Sequence, residues 1–394
     1  MSDVTVRPLR DEELPDAWEL GRVTFGGPAD PPPMAVQPVP GWERLGAFDA
    51  RGRLVGKATD LGHEQWWGGR RVPTADVGGV AVASEARGGG VGRLLLTTLL
   101  ERARERGAAV SALYPTVSAV YRSLGWEVAG ALRQVDLDTA ALPRDLPPRV
   151  RLVRGEPDDL PALDELYTEM AQAHDGLLTR TGGSYELTAT GPWPDGADGL
   201  TLVEQDGSVT GALLYERGRG YGPEGRLTVH ELLATTPGAA RALAAALGGW
   251  MSVVSTVRLP LLDGSAAAAV LPVERARPAR TDAWMHRPVD VVRAVEARGW
   301  PASVRGSVAF ALRDDAAPRN AGDWRLTVED GEARLERSAA SSDLWLDVRG
   351  FAVLYCAAAT GRATALAGLA GGPSDPAALD LLASGSRAAL LDYF

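Results

Sequence analysis

The sequence of 394 residues is poor in the residue types that build disulfide and metal sites: it has one cysteine and four histidines. A single cysteine, Cys356, excludes an internal disulfide framework and is typical of a reducing compartment. It lies in the apolar run 351–359, so we expect a buried, unreactive thiol. No second histidine follows His63 at the metalloprotease spacing, and the histidines are scattered, so no metal site is expected.

Long apolar runs and a surplus of basic residues are also missing, and Lys57 is the only lysine. No stretch approaches the roughly 20 apolar residues that span a bilayer. Residues 1–18 are charged and have no apolar centre, unlike a signal peptide. The formal net charge of −10 argues against nucleic-acid binding and suits cationic substrates. We therefore expect a cytoplasmic protein without nucleic-acid or membrane partners.

The chain is too long for one ordinary hydrophobic core, so two or three domains are expected. In the first region a buried strand is predicted at 75–82 and a strongly periodic helix at 91–106. The second region repeats this order, with a strand and a helix at 227–251, but its junction has no glycine cluster. The third region is predicted to end in a helix over 376–391. The terminal Asp-Tyr-Phe has no polar tail, which suggests a carboxylate held inside the fold.

The sharpest motif is a strand, a glycine loop and a helix start between Val80 and Arg93. Glycines let the backbone approach an anion, and the first N–H groups of a helix are unpaired, so the motif is typical of a phosphate site. The spacing Arg87-x-x-Gly90-x-Gly92 lacks the Gly-Lys-Ser/Thr ending of a Walker A loop. It also lacks the three spaced glycines of a dinucleotide fingerprint. The competing interpretation is a glycine-rich connection without a ligand.

This spacing resembles the pyrophosphate loop of the GNAT acetyltransferases, Arg/Gln-x-x-Gly-x-Gly/Ala. Residues 76–82, 119–126 and 229–237 are similar to the Eis-like (enhanced intracellular survival) members, and residues 314–326 resemble their third domain. The resemblance implies an α+β fold with two GNAT-like (acyl-CoA N-acyltransferase) domains in tandem, followed by a sterol-carrier-protein-like C-terminal domain. We place these three domains at 1–140, 149–280 and 281–394.

The resemblance also implies site residues and an assembly. Acetyl-CoA would be the co-substrate, no metal would be needed, and the chain would form a homo-oligomer, a hexamer. Tyr121 takes the place of the family's general acid, and the carboxylate of Phe394 that of its general base. A tyrosine packed in the core and a terminus anchored without a chemical role are the competing interpretations. By motif position the cofactor site consists of Val80, Ala81, Val82, Arg87, Gly88, Gly89, Gly90, Val91, Gly92, Arg93, Thr116 and Val117.

The resemblance implies an N-acetyltransferase that moves acetyl from acetyl-CoA to an amine of a cationic acceptor, and the acceptors that it suggests are aminoglycoside-like or lysine-type. A loop at 25–33 is predicted over the acceptor site, where Asp30 can bind a substrate amine; an ordinary solvated turn is the alternative. Gly88 and Gly89 replace two arginines that the family loop often carries. The alternative function is an apolar-ligand carrier whose CoA-binding domain is regulatory.

Overall fold

The computed structural model describes residues 4–186, 193–194 and 196–394. Thirteen strands within these residues form one sheet that continues from the first GNAT-like region into the second. They are β1 (Thr5–Pro8), β2 (Glu43–Phe48), β3 (Leu54–Asp60), β4 (Glu64–Trp67), β5 (Arg70–Val82), β6 (Val110–Leu113), β7 (Glu127–Asp138), β8 (Val150–Gly155), β9 (Gly199–Gln205), β10 (Ser208–Glu216), β11 (Gly222–Ala234), β12 (Val254–Pro260) and β13 (Arg277–Pro288). A second sheet contains β14 (Gly306–Arg313), β15 (Gly322–Glu329), β16 (Glu332–Arg337), β17 (Trp345–Asp347) and β18 (Ala370–Gly371).

Helices cover both sheets. They are α1 (Leu14–Phe25), α2 (Pro33–Val36), α3 (Val91–Arg106), α4 (Ser118–Arg122), α5 (Leu160–Gln172), α6 (Gly183–Glu186), α7 (Pro237–Gly248), α8 (Ala266–Val270), α9 (Val291–Ala297), α10 (Val348–Tyr355) and α11 (Gly361–Leu366). The predicted helix at 91–106 is confirmed: its buried leucines recur at helical spacing, and Gly107 ends it in a left-handed conformation. None of the helices described here has the length and apolar character needed to cross a membrane.

The order of strands in the large sheet is β1-β2-β3-β5-β6-β13-β7-β12-β11-β10-β9-β8, with β4 paired to β5. β13 comes from far along the chain yet lies between β6 and β7, where Met285 is opposite both Leu113 and Val128. Trp284 and Met285 are buried there. The predicted division between residues 280 and 281 therefore falls inside a strand of the large sheet. The insertion fixes the third region against the first.

The predicted helix over 376–391 is wrong. Only a short 3-10 helix, Pro376–Leu381, forms, and residues 386–394 have no helix or strand. The backbone N–H groups of Ala388 and Ala389 donate to the carbonyls of Cys356 and Asp175 instead of to a helical turn. The apolar residues of this tail thus pack against two other parts of the chain. Cys356 is buried, as expected, and burial raises the pKa of its thiol.

A buried ion pair joins β13 to the segment after β14. The Nη2 atom of Arg287 donates to both carboxylate oxygens of Asp314, at 2.9 and 2.7 Å, and both side chains are fully buried. Asp314 also accepts from the backbone N–H of Ala317 at 2.9 Å and from the amide of Asn320 at 3.0 Å. Because the carboxylate satisfies three donors, removing it would leave a guanidinium buried without its anion.

We expect Asp314→Ala to lower the free energy of unfolding by about 3–5 kcal/mol, the usual cost of breaking a buried pair from one side. Urea unfolding followed by tryptophan fluorescence measures this change. The control is Arg305→Ala, which removes an exposed pair with Asp330 and should change stability little. Equal effects of the two variants would contradict the structural role given to the buried pair.

Candidate active site

β5 separates from its neighbour β6 halfway along its length. The two strands pair in parallel from Thr74 opposite Val110 to Val77 opposite Leu113, and β6 then ends. Beyond this point β5 continues to Val82 with β3 as its pairing strand among the described residues. The free edge of β5 toward β6 therefore leaves backbone groups of the segment 80–82 available to an extended ligand, as predicted for a pantetheine arm.

A bulge lies where the two strands stop pairing. Lys57 of β3 is opposite Ala81, whereas Thr59 is opposite Gly78, so β5 has one extra residue between these pairs. Gly79 takes a φ of +59°, which glycine adopts without steric cost. Bulges bend a strand and are common beside active sites. The bulge thus begins just after Val77, the last residue of β5 that pairs with β6.

The glycine loop after β5 presents a row of unpaired amides. Gly88 and Gly90 have φ values of +76° and +83°, and Gly90 is the N-cap of α3 without a side-chain cap. The first helical hydrogen bond runs from Leu94 N–H to the Gly90 carbonyl. Within the described residues, the six N–H groups from Gly88 to Arg93 donate to no protein acceptor. This arrangement can hold a diphosphate at the positive end of the helix dipole.

The two loop arginines hold neighbouring backbone. Nε of Arg87 donates to the Val82 carbonyl at 3.2 Å. Nη2 of Arg93 donates to the carbonyl of Ser123 at 3.3 Å and to its hydroxyl at 3.1 Å. Ser123 is the C-cap of α4. Arg93 therefore links the start of α3 to the helix that carries Tyr121.

Tyr121 combines a packed ring with a free hydroxyl. The ring is buried and meets Trp126 edge to face, with the centroids 6.2 Å apart. Its hydroxyl forms no hydrogen bond with any residue the structure describes, and burial raises its pKa. Thr116 and Val117, which precede α4, are exposed. The ring is thus part of the core, as the competing interpretation held, but the hydroxyl proton of Tyr121 has no acceptor among the described residues.

The C-terminal tail ends beside the bulge. Tyr114, just after β6, donates its hydroxyl proton to the Asp392 carbonyl at 2.8 Å, and Arg180 pairs with the Asp392 carboxylate at 2.9 Å. The Phe394 ring lies 5.3 Å from that of Tyr114, centroid to centroid. A Cβ placed on Gly78 would be 3.8 Å from the carboxylate carbon of Phe394. The terminal carboxylate therefore faces β5 where it bends.

A pocket of about 590 Å³ opens between this tail, α1, α2 and α6. Aromatic side chains form much of its wall, among them Trp18, Trp42 and Tyr185, and Phe394 closes one end. The predicted acceptor ligand Asp30 is exposed and is not among the residues that line it. The pocket reaches Gly79 of the bulge, so it meets the free edge of β5. An acceptor bound there would approach the end of the cofactor site.

A chain of hydrogen bonds that the sequence did not reveal builds one side of this pocket. Nδ1 of His63 lies 3.0 Å from the Asp76 carboxylate, and Nε2 lies 2.8 Å from the Ser184 hydroxyl. The indole of Trp42 donates to the same hydroxyl at 2.6 Å. Ser184 comes from the second region, 121 residues after His63, so no local pattern pointed to this contact. It fixes α6 against the first domain.

The corresponding junction of the second region has no such amide row. α7 begins with Pro237, which has no N–H, and the Thr236 hydroxyl accepts from the N–H of Ala239 at 3.0 Å. A capped helix start has fewer donors left for a phosphate. The second junction therefore differs from the loop after β5 both in its missing glycines and in its capped helix start.

Known proteins share this sequence and architecture. Residues 5–129 and 176–298 each match the family described as Acetyltransferase (GNAT) domain, and residues 291–390 match the Sterol carrier protein domain. An uncharacterized N-acetyltransferase of Streptomyces coelicolor is 30% identical over 376 residues, which cover 89% of each chain. The GCN5-related N-acetyltransferase from Kribbella flavida is 30% identical and superimposes with a TM-score of 0.84, covering 100% of this chain and 99% of that one.

Eis1 from Mycobacterium abscessus has the same overall fold, with a TM-score of 0.78 at 22% identity and coverage of 99% and 100%. The predicted fold, two GNAT domains followed by a sterol-carrier domain, is confirmed. GNAT acetyltransferases take their acetyl group from acetyl-CoA. The chain is therefore an N-acetyltransferase that belongs to the GNAT family, with the three-domain fold of its Eis-like members.

Proposed function

We propose that the first domain transfers acetyl from acetyl-CoA to a primary amine, with Tyr121 as general acid and the Phe394 carboxylate as general base. One observation carries the proposal. The β5 bulge borders two places at once: the free strand edge and amide row on one side, and the pocket with the terminal carboxylate on the other. A thioester placed at this point would meet an amine from the pocket.

The residues fit the co-substrate that the family uses. The segment 80–82 would bond the pantetheine arm through its free backbone edge, as one strand adds to another. Arg87, the four residues from Gly88 to Val91, Gly92 and Arg93 would hold the diphosphate through amides and side-chain charge. Thr116 and Val117, exposed ahead of α4, would contact the cofactor near its thiol end.

The chemistry needs a base and an acid. A primary amine has a pKa near about 10 and is mostly protonated at neutral pH, so the Phe394 carboxylate would accept a proton before attack. The nitrogen then attacks the thioester carbonyl, and the C–S bond breaks as the tetrahedral intermediate collapses. The departing thiolate would take its proton from Tyr121, whose raised pKa keeps the hydroxyl protonated at neutral pH.

We expect Tyr121→Phe to lower kcat by about 10²–10⁴, the usual contribution of a general acid, and to leave the dissociation constant of acetyl-CoA unchanged. A thiol-release assay and calorimetry measure the two quantities. Tyr221→Phe is the matched control, because Tyr221 is largely exposed in the second domain. Full turnover by the Tyr121 variant would show that Tyr121 is not the general acid.

We expect a single glycine added after Phe394 to lower kcat/KM by about 10²-fold or more, because it moves the carboxylate away from the amine. The same glycine added before Met1 serves as the control. Acetyl-CoA binding and the melting temperature of the extended protein check that the tail still docks. A docked, extended tail with wild-type turnover would show that the base lies elsewhere.

We expect Gly92→Asp to raise the dissociation constant of CoA by about 10–100-fold. A carboxylate at this first-turn position would compete for the amides and repel the diphosphate, yet it suits the helix dipole and should not lower stability. A Cβ at Gly92 meets only Val82 at 3.7 Å, so the position has room. Gly92→Ala is the control for side-chain bulk. Equal CoA affinity in both variants, by calorimetry, would argue against a diphosphate at this helix start.

The acceptor is the least constrained part of the proposal. The sequence predicts a cationic acceptor, aminoglycoside-like or lysine-type, for which the Phe394 carboxylate provides one anionic contact. Arg44 and Lys57 line the same pocket and would repel a second positive charge. Apolar side chains of the third region pack into one cluster with residues of the first domain, which argues against the carrier alternative.

A further inference from the structure

The pocket beside the bulge has an unusual distribution of charge. Among its described lining residues, Arg44 and Lys57 bring positive side chains, and none brings a carboxylate side chain. Two carboxylates next to lining residues have partners of their own: Asp76 bonds to His63, and Asp392, which precedes Tyr393, pairs with Arg180. Within the described residues, the terminal carboxylate of Phe394 is thus the negative group that lines the pocket.

Lys57 is held in this pocket without an anion. It extends from β3 on the side of α1, where a Cβ on Gly21 would come within 2.8 Å of its ammonium nitrogen. A Cβ on Gly79 would lie 3.8 Å from the same nitrogen, so the ammonium is also next to the bulge. It has no ion pair or hydrogen bond in the described part of the chain. Burial and the nearby Arg44 lower its pKa.

Arg44 is fixed in place by neutral groups. Its guanidinium donates to the backbone carbonyls of Gln37 and Met34 and lies 4.8 Å from the ring centre of Trp42. Burial lowers the pKa of Arg44, and the carboxylate of Asp11 acts on it in the opposite direction with a smaller effect. No described carboxylate forms an ion pair with Arg44, so neutral groups hold its position and Asp11 offsets its charge only in part. Arg44 and Lys57 are both half-buried, so placing the two cations on one wall costs free energy that a bound anion would reduce.

We propose that the acceptor is a primary amine with an apolar or aromatic body that also carries an acid group, a carboxylate or a phosphate-type group, bound by Lys57 and Arg44. This inference rests on the proposed acetyl transfer at the same pocket. The amine end would lie at the Phe394 carboxylate and the acid end at Lys57. Both sites border adjacent residues of the bulge, Gly78 and Gly79, and both line the same pocket.

The proposal assigns a different role to each wall. The rings of Trp18, Trp42 and Tyr185 would cover the body of the acceptor, and burying such a body supplies affinity without specificity for charge. The cations would select the acid group through charge-assisted hydrogen bonds. A polycation would form one favourable contact, with the terminal carboxylate, and would be repelled by both Lys57 and Arg44.

A matched set of acceptors tests the selection: phenethylamine, phenylalanine and the phosphonate analogue of phenylalanine, which share one carbon skeleton, with kanamycin as the polycation. We expect the wild-type kcat/KM to be at least about 10-fold higher for an acid-bearing member than for phenethylamine. Lys57→Met should lower that value about 10–100-fold, mainly through KM, and change phenethylamine turnover less than about 3-fold.

Arg53→Met is the control, because it removes an exposed charge from the same β2–β3 hairpin outside the pocket. It should behave as the wild type does. Lys57→Met should fold with a melting temperature no lower than that of the wild type, since it removes a half-buried charge that has no ion-pair partner among the described residues. The better of the carboxylate and the phosphonate identifies the acid group, and either preference supports the inference.

Binding without turnover separates this inference from the proposed function. With CoA present, calorimetry should show N-acetylphenylalanine binding more tightly than N-acetylphenethylamine, and Lys57→Met should abolish the difference. If that selectivity holds while no amine is acetylated, the proposed catalysis fails and the pocket assignment stands. Faster turnover of kanamycin, an unchanged ratio in Lys57→Met, or acetylated Lys57 found by mass spectrometry would overturn the inference.

Discussion

The position of the last three residues depends on one set of contacts that crosses all three regions of the chain. The tail leaves the third region after bonding to the Cys356 carbonyl, passes Asp175 and pairs with Arg180 of the second, and then meets Tyr114 of the first. Each contact uses a backbone group or a buried charge, so the tail has little freedom to shift. The terminal carboxylate thus comes from the third region, whereas the β5 bulge that it reaches belongs to the first domain.

The large sheet makes this crossing possible. β13 inserts between β6 and β7, and the buried pair of Arg287 and Asp314 ties that strand to the third region. The third region is therefore fixed beside β5 and β6, the strand pair that separates next to the proposed cofactor site. Residues of the first and second regions line most of the pocket, and the third region contributes Tyr393 and Phe394. The proposed active site is therefore built from all three regions, although the glycine loop lies in the first.

Local features were predictable and distant contacts were not. The loop from Arg87 to Gly92 and helix α3 follow from short-range spacing, because backbone conformation and helix caps are set by neighbouring residues. Helix 376–391 was predicted wrongly, since its apolar residues serve contacts with other regions. Tertiary packing places Lys57 and Ser184 in the pocket. The residues next to them in the sequence do not determine that packing, so no local pattern predicted it. The hexamer, the cytoplasmic location and the acceptor stay predictions.

The central claim is that the thioester site and the terminal carboxylate meet at the β5 bulge. A crystal structure of the protein with CoA and an N-acetylated acid product tests it most directly. The account predicts the CoA sulfur within hydrogen-bond distance of the Tyr121 hydroxyl, the acetylated nitrogen beside the Phe394 carboxylate, and the acid group on Lys57. A CoA thiol remote from Tyr121, with the product bound outside this pocket, would contradict it.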